Sequence, residues 1–255
     1  PPSLCVCVCV CICPGLACRS ACPPDVKRLI GRSEQVLISP AAAGAEPPTV
    51  SAEVDKATGV YTVSVDGKAW YSSPGAPTVC VGGKQTELKL TGTKSSSGTD
   101  KFGAWMGTTA SYSGGDAAVD YTFQSYASKP GTIVGTATFE KTIDTSGCGG
   151  NAQLSTHFPE FSTTAAEAAN LHTLSWRGGV IATTAAAKGL GNLGANGLDC
   201  GPVVSTDPTT GNTLVVSTLT HHKIFPQKTQ NNTWSMGLAA AIPSIPAGFS
   251  HSVLF

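Results

Sequence analysis

From Thr49 onward, apolar and polar residues alternate with a period close to two. Turn residues break the alternation roughly every 8–12 positions, the rhythm of a sandwich. Side chains two apart share one face of a strand, so each segment carries an apolar face that must be buried against a second layer. Tyr61, Val63 and Val65 fall on one face, Thr62 and Ser64 on the other. Asp66-Gly67 and Gly82-Gly83 are hairpin signals, because tight two-residue turns need residues that tolerate positive φ. Further strands are predicted over 50–55, 68–72, 78–81, 85–90, 102–112, 118–126, 132–143, 202–206 and 213–219, with 233–242 as the last long one. Residues 174–183 read as a strand pair and 163–171 as a helix. The polar stretch 91–101 and the Gly/Asn-rich stretch 188–200 read as loops. The expectation is an all-β, antiparallel β-supersandwich over residues 49–255.

Composition agrees with strands and turns. Gly (29) and Pro (17) are frequent, while charged residues reach 13%, about half the usual share. Sixteen basic and sixteen acidic residues leave no net charge. That excludes a general electrostatic grip on nucleic acid, which needs a basic excess. A hydrophobic share of 41% argues against charge-driven disorder. No stretch is long and apolar enough for a membrane-spanning helix, which takes about 20 residues, so no membrane partner is expected.

Seven of the ten cysteines lie within the first 22 residues. The run Cys5-Val6-Cys7-Val8-Cys9-Val10-Cys11-Ile12-Cys13 has the two-residue repeat that an in-frame TG dinucleotide repeat encodes. Residues 1–48 are therefore read as a low-complexity Cys-rich segment and an Ala/Pro/Gly linker, disordered or mistranslated. Two readings compete. Closely spaced thiolates suit Zn²⁺ or Cu(I), but no second cluster or His completes a site. Leu4–Ala17 is apolar like a secretory signal, but it lacks an initiating Met and a basic start. Pro1 in place of Met, and the stop at Phe255, lead to the expectation of a fragment.

The chain carries no nucleophile elbow, Walker loop, His-Glu-x-x-His or dinucleotide fingerprint, and no cofactor is expected. His221-His222 are neighbours on a strand or loop and cannot easily share one metal, so no metal site is expected. His157 could pair with Glu160, although a loop packed by Phe158 and Phe161 explains the same residues. Asp116 and Asp120, Glu140 and Asp144, and Asp199 and Asp207 are the carboxylate pairs available for glycoside hydrolysis. None forms a recognisable constellation, so no catalytic residue is assigned. Trp70, Tyr71, Trp105, Trp176 and Trp234 are the candidate substrate-binding residues, because an aromatic face suits the C–H face of a sugar ring. Core packing is the competing role for each. Asn231-Asn232-Thr233 is an N-glycosylation sequon in a turn. Cys148 and Cys200 are the expected disulfide if the chain is oxidised, leaving Cys80 buried.

Gly197-Leu198-Asp199-Cys200-Gly201-Pro202-Val203-Val204, then Asn212-Thr213-Leu214-Val215-Val216-Ser217-Thr218-Leu219, then Ser244-Ile245-Pro246-Ala247-Gly248-Phe249-Ser250-His251 follow one another in order. With Val60–Trp70 before them, these segments resemble the amino-terminal β-domain of eukaryotic glycoside-hydrolase-like proteins related to the α-galactosidase/raffinose-synthase clan. The resemblance covers about 49–255 and implies a galactose-mutarotase-like sandwich. It implies a carbohydrate-active parent whose C-terminal catalytic barrel follows the Pro-Ala-Gly-Phe segment and holds the catalytic acids. It further implies that one sandwich face is apolar and meets the barrel, and that the protein is secreted or in the endomembrane lumen. A free-standing carbohydrate-binding or surface interaction module is the alternative.

Overall fold

The computed structural model describes residues 48–177 and 183–255. The Cys-rich head, the linker up to residue 47, and the turn within the predicted pair at 174–183 lie outside the described residues.

The regular structure of the described chain is nearly all strand, and its pairings are antiparallel. β1 (Val50–Val54), β2 (Tyr61–Val65) and β3 (Lys68–Ser72) form a three-stranded meander. β4 (Thr78–Val81) and β5 (Lys84–Glu87) form a hairpin. β6 (Lys89–Asp100), β7 (Gly103–Gly114), β8 (Ala117–Tyr126) and β9 (Lys129–Phe139) are long and consecutive. Then come β10 (Ile143–Asp144), β11 (Glu160–Ser162), helix α1 (Ala166–Asn170), β12 (His172–Arg177), β13 (Thr183–Lys188), β14 (Asn196–Asp199), β15 (Val203–Thr206) and β16 (Thr213–Thr218). The chain closes with β17 (Gln227–Gln230), β18 (Thr233–Met236), β19 (Ser244–Ile245) and β20 (Ser250–Leu254).

The main layer is a nine-stranded sheet in the order β13-β12-β15-β16-β20-β9-β8-β7-β6. The meander and a four-stranded sheet, β11-β18-β17-β14, cover its inner face. Turn chemistry sets the registers. Asp66 and Gly67 both have positive φ (50° and 74°), as do Gly82 and Gly83 (54° and 81°), the conformation that matches the twist of paired strands.

Aromatic rings join the layers. Tyr61 on β2 meets Phe123 (centroids 5.1 Å) and Tyr121 (6.3 Å) on β8. Phe158, beside a cis peptide to Pro159, lies 4.1 Å from Tyr121. Phe161 on β11 stacks on Trp234 of β18 and meets Phe255 edge-on. The Tyr61 hydroxyl donates to the Glu160 carbonyl (2.9 Å) and accepts from the Glu160 N–H (2.7 Å), so this buried phenol is satisfied.

Several expectations are corrected. Residues 91–101 are not a loop: most of them are β6, the edge of the large sheet. An edge strand with both faces largely in solvent has no apolar row to alternate, which is why its pattern was silent. Residues 188–200 hold a 3₁₀ turn (Leu190–Asn192) and β14, an edge of the four-stranded sheet. The predicted strand 233–242 stops at Met236. A Cβ on Gly237 would collide with the Thr156 carbonyl, so the chain crosses close to that backbone and cannot continue as a regular strand. The last strand is β20, inserted between β16 and β9. The disulfide joins Cys80 to Cys148, not Cys148 to Cys200. Cys80 N–H donates to Ser155 O and Gly82 N–H to Asp144 O. These bonds lay the β4–β5 hairpin along 144–155 and bring the two cysteines to a Cα separation of 5.9 Å.

Candidate functional site

The five aromatic candidates are not gathered in one place. Trp70 and Tyr71 are both buried (2% and 0% exposed), although strict alternation would set them on opposite faces. A bulge explains this: Val63 pairs with Tyr71 and Ser64 with Ala69, so Trp70 is the extra residue. Trp234 is fully buried, and its indole N–H donates to Gln227 Oε1 (2.9 Å), whose amide in turn donates to Gly201 O. Tyr71, Phe161 and Trp234 form one core stack. No ring face of Trp70, Tyr71 or Trp234 meets solvent. Trp105 on β7 and Trp176 on β12 are half-buried, and five strands lie between theirs in the large sheet.

Trp105 borders an open surface groove of about 870 Å³. Val50–Ala52 of β1 form one wall, and the free ends of β6–β9 form the floor. Trp105 packs over the Cα of its cross-strand partner Gly98, where a Cβ would lie 2.8 Å from the indole. Any side chain there would displace the ring. Ser95, Ser97, Met106 and Ile133 also line the groove; the register sets the Met106 and Ser97 side chains on the sheet face opposite Trp105 and Gly98, and Met106 is 71% exposed. Among the described residues, no charged side chain lines it. Its one titratable group, the Tyr126 phenol, donates to Asp100 (2.8 Å). Burial first, and that carboxylate second, hold the phenol well above the ordinary tyrosine value. Such a groove suits a neutral ligand bearing hydroxyls and C–H faces, and it holds no acid or base for hydrolysis. Ser95 and Ser97 lie in the stretch read as a loop, and no sequence signal singled them out.

The side chain of Asp199 lies outside the described residues, and the other candidate acids do not converge. Asp207 is buried against Lys68 (3.0 Å) and accepts from the Thr209 N–H, which with that lysine holds its carboxyl below the usual range. Asp120 faces Lys94 at 3.8 Å, Asp144 caps the turn at Ser146, and Asp116 and Glu140 are exposed.

His157, Glu160 and Ser235 do meet, and Phe158 and Phe161 pack the same loop. Both readings of that segment therefore hold together. His157 Nδ1 lies 3.5 Å from Glu160 Oε1 and 3.3 Å from Ser235 Oγ. A nucleophilic triad uses the two imidazole nitrogens separately, one for the nucleophile and one for the acid. Here both partners share Nδ1, and Ser235 is fully buried, so the cluster is a structural knot. Among the described residues, no three His, Cys, Asp or Glu side chains are grouped to hold a metal ion.

The outer face of the large sheet is divided, not uniformly apolar as the resemblance implies. Over β6–β9 and β20 it is mostly polar: Thr109 pairs with Thr122 (2.9 Å), Thr136 with Ser252 (2.8 Å), and Lys94 with Asp120, although the register also puts Val134, Leu254 and Trp105 on this face. Over β13, β12, β15 and β16, a register row places Ala186, Leu174, Val204 and Val215 side by side, with Trp176 two residues along from Leu174. Val215 is 42% exposed, and Leu174, Val204 and Trp176 are half-buried.

No family model matches the chain, and no curated protein matches it. Solved structures do. A crystal structure of a β-arabinopyranosidase superposes with a TM-score of 0.55 at 12% identity, over 82% of this chain and 38% of that one. A glycoside hydrolase family 97 enzyme from Pseudoalteromonas sp. strain K8, in complex with panose, gives 0.49 at 10% identity, over 80% of this chain and 33% of that one. The chain thus spans little more than a third of either. The β-arabinopyranosidase likeness shows a shared fold, that of a β-domain within a glycoside hydrolase chain.

Proposed function

We propose that the chain is the non-catalytic amino-terminal β-sandwich module of an α-galactosidase-like glycoside hydrolase. Its role is to pack on a catalytic barrel of the same parent chain and shape that barrel's carbohydrate cleft. One observation carries the reading: nearly the whole described sandwich superposes on a minor part of a β-arabinopyranosidase, while the candidate acids among the described residues stay apart. The row Ala186–Leu174–Val204–Val215 supports it, because an exposed apolar stripe on an otherwise mostly polar sheet face suits a covering neighbour. The Cys80–Cys148 bond supports a secreted or lumenal location, since such bonds persist in oxidising compartments.

The purified chain is expected to leave aryl-galactosides and aryl-glucosides uncleaved. Measurable turnover, lost when one of its own acids is replaced, would overturn the reading. Nucleotide sequence downstream of Phe255 tests the neighbour: an open frame encoding a barrel supports it, and an immediate stop supports a free-standing binding module. That second reading is favoured by the uncharged groove around Trp105. Titration with neutral oligosaccharides, with Trp105→Ala as the control, would reveal it.

A further inference from the structure

We propose that Asn231 is an N-glycosylated residue, carrying its glycan at the tip of the β17–β18 hairpin. The inference rests on the lumenal reading above. Of the seven asparagines in the sequence, Asn231 alone is followed two positions later by Ser or Thr. The structure adds what the triplet cannot. Asn231 and Asn232 are exposed and are the two turn residues, with φ of 49° and 61°. Both side chains therefore leave the hairpin away from the sheet. Three of the other amide groups are committed: Asn170 donates to Ala166 O, Asn192 to Lys188 O and Asn212 to Asp66. Among the described residues, the Asn231 amide has no hydrogen-bond partner. Anchoring of the turn runs through backbone instead, with the Asn232 carbonyl accepting from the Thr163 N–H (2.8 Å). A bulky group on Asn231 thus breaks no bond of the fold.

The chemistry is a group transfer. The Asn231 amide nitrogen attacks the anomeric carbon of a lipid-linked oligosaccharide pyrophosphate. The C–N bond forms, the C–O bond to pyrophosphate breaks, the lipid pyrophosphate leaves with the electron pair, and the amide proton passes to solvent.

The test is expression of the full chain behind a cleavable secretory leader in eukaryotic cells, followed by gel mobility and peptide mapping before and after peptide N-glycosidase. We expect one glycosidase-sensitive upward shift, with Asn231 converted to Asp by the enzyme. Asn231→Asp and Thr233→Ala should abolish the shift, and Asn232→Asp and Thr233→Ser should keep it. Asp also tolerates positive φ, so Asn231→Asp tests the site without breaking the turn. Unmodified Asn231 in a chain whose Cys80–Cys148 bond has formed overturns the proposal alone. Free thiols at Cys80 and Cys148 in the secreted product overturn the lumenal reading and the proposal with it.

Discussion

His251 on β20 has both ring nitrogens buried without a partner. It lies against Phe225 (centroids 3.8 Å), Phe158 (5.7 Å) and Phe139 (6.4 Å). Burial, reinforced by nearby His221, pushes its pKa down to about 3 from an ordinary 6.5. The folded state therefore keeps the ring neutral while the unfolded chain binds a proton below pH 6.5. Stability from this group is complete above 6.5 and falls as the pH drops toward 3. At pH 5.5 the loss is about 1.4 kcal/mol, one pKa unit of unmatched protonation. Urea unfolding at pH 7.5 and 5.5 should show that difference, and His251→Phe should remove it whatever the variant's absolute stability. An unchanged slope in the variant would refute the assignment. Gly237 is a second single-residue constraint. Gly237→Ala should fail to fold, because its methyl would occupy the Thr156 carbonyl, and secondary-structure content by circular dichroism would report it.

Between elements, the Cys80–Cys148 bond ties the β4–β5 hairpin to a loop 68 residues later. Closing a loop of that length in the unfolded chain is worth about 4 kcal/mol on chain-entropy grounds. The double variant Cys80→Ala/Cys148→Ala should lose most of that stability in denaturant unfolding, and a loss under about 1 kcal/mol would show that the bond adds little. Element type was legible in most strands with one buried face, though not in the short β20. Tyr61, Val63 and Val65 are all buried, and the Asp66-Gly67 turn stands where its residues placed it. The three long segments 102–112, 118–126 and 132–143 were legible for the same reason. It was not legible where that asymmetry fails. β6 exposes both faces, and β14 is a short edge rich in Gly and Asn. β18 ends at a glycine whose role depends on a carbonyl some 80 positions away in sequence. Trp70, Tyr71 and Trp234 prove to be core residues, and were not told apart from a sugar platform for a related reason. A buried ring and a sugar platform have the same composition, and only the bulge at Trp70 and the stack of Tyr71, Phe161 and Trp234 tell them apart.

At the scale of the molecule, the outer face of the large sheet carries a contrast that bears on the proposed role. One half is mostly polar, with two pairs of hydroxyls and the Lys94–Asp120 pair, which water or a neighbour's polar groups satisfy equally well. The other half lines up Ala186, Leu174, Val204 and Val215. Apolar rows on a solvent-facing sheet attract other apolar surfaces, so natural sheets break them with charge. None of these four positions is charged. If a neighbour in the parent protein covers this half, the isolated chain should expose it, bind an environment-sensitive apolar dye and self-associate with concentration. Val215→Glu combined with Val204→Thr should abolish dye binding and leave the melting temperature within a few degrees, since Val215 is 42% exposed already. Comparable substitutions on the hydroxyl half, such as Thr136→Ser, should leave dye binding unchanged. A native chain that stays monomeric and dark with the dye would mean that the stripe is adequately solvated by itself, and the case for a covering neighbour would then rest on the fold likeness alone.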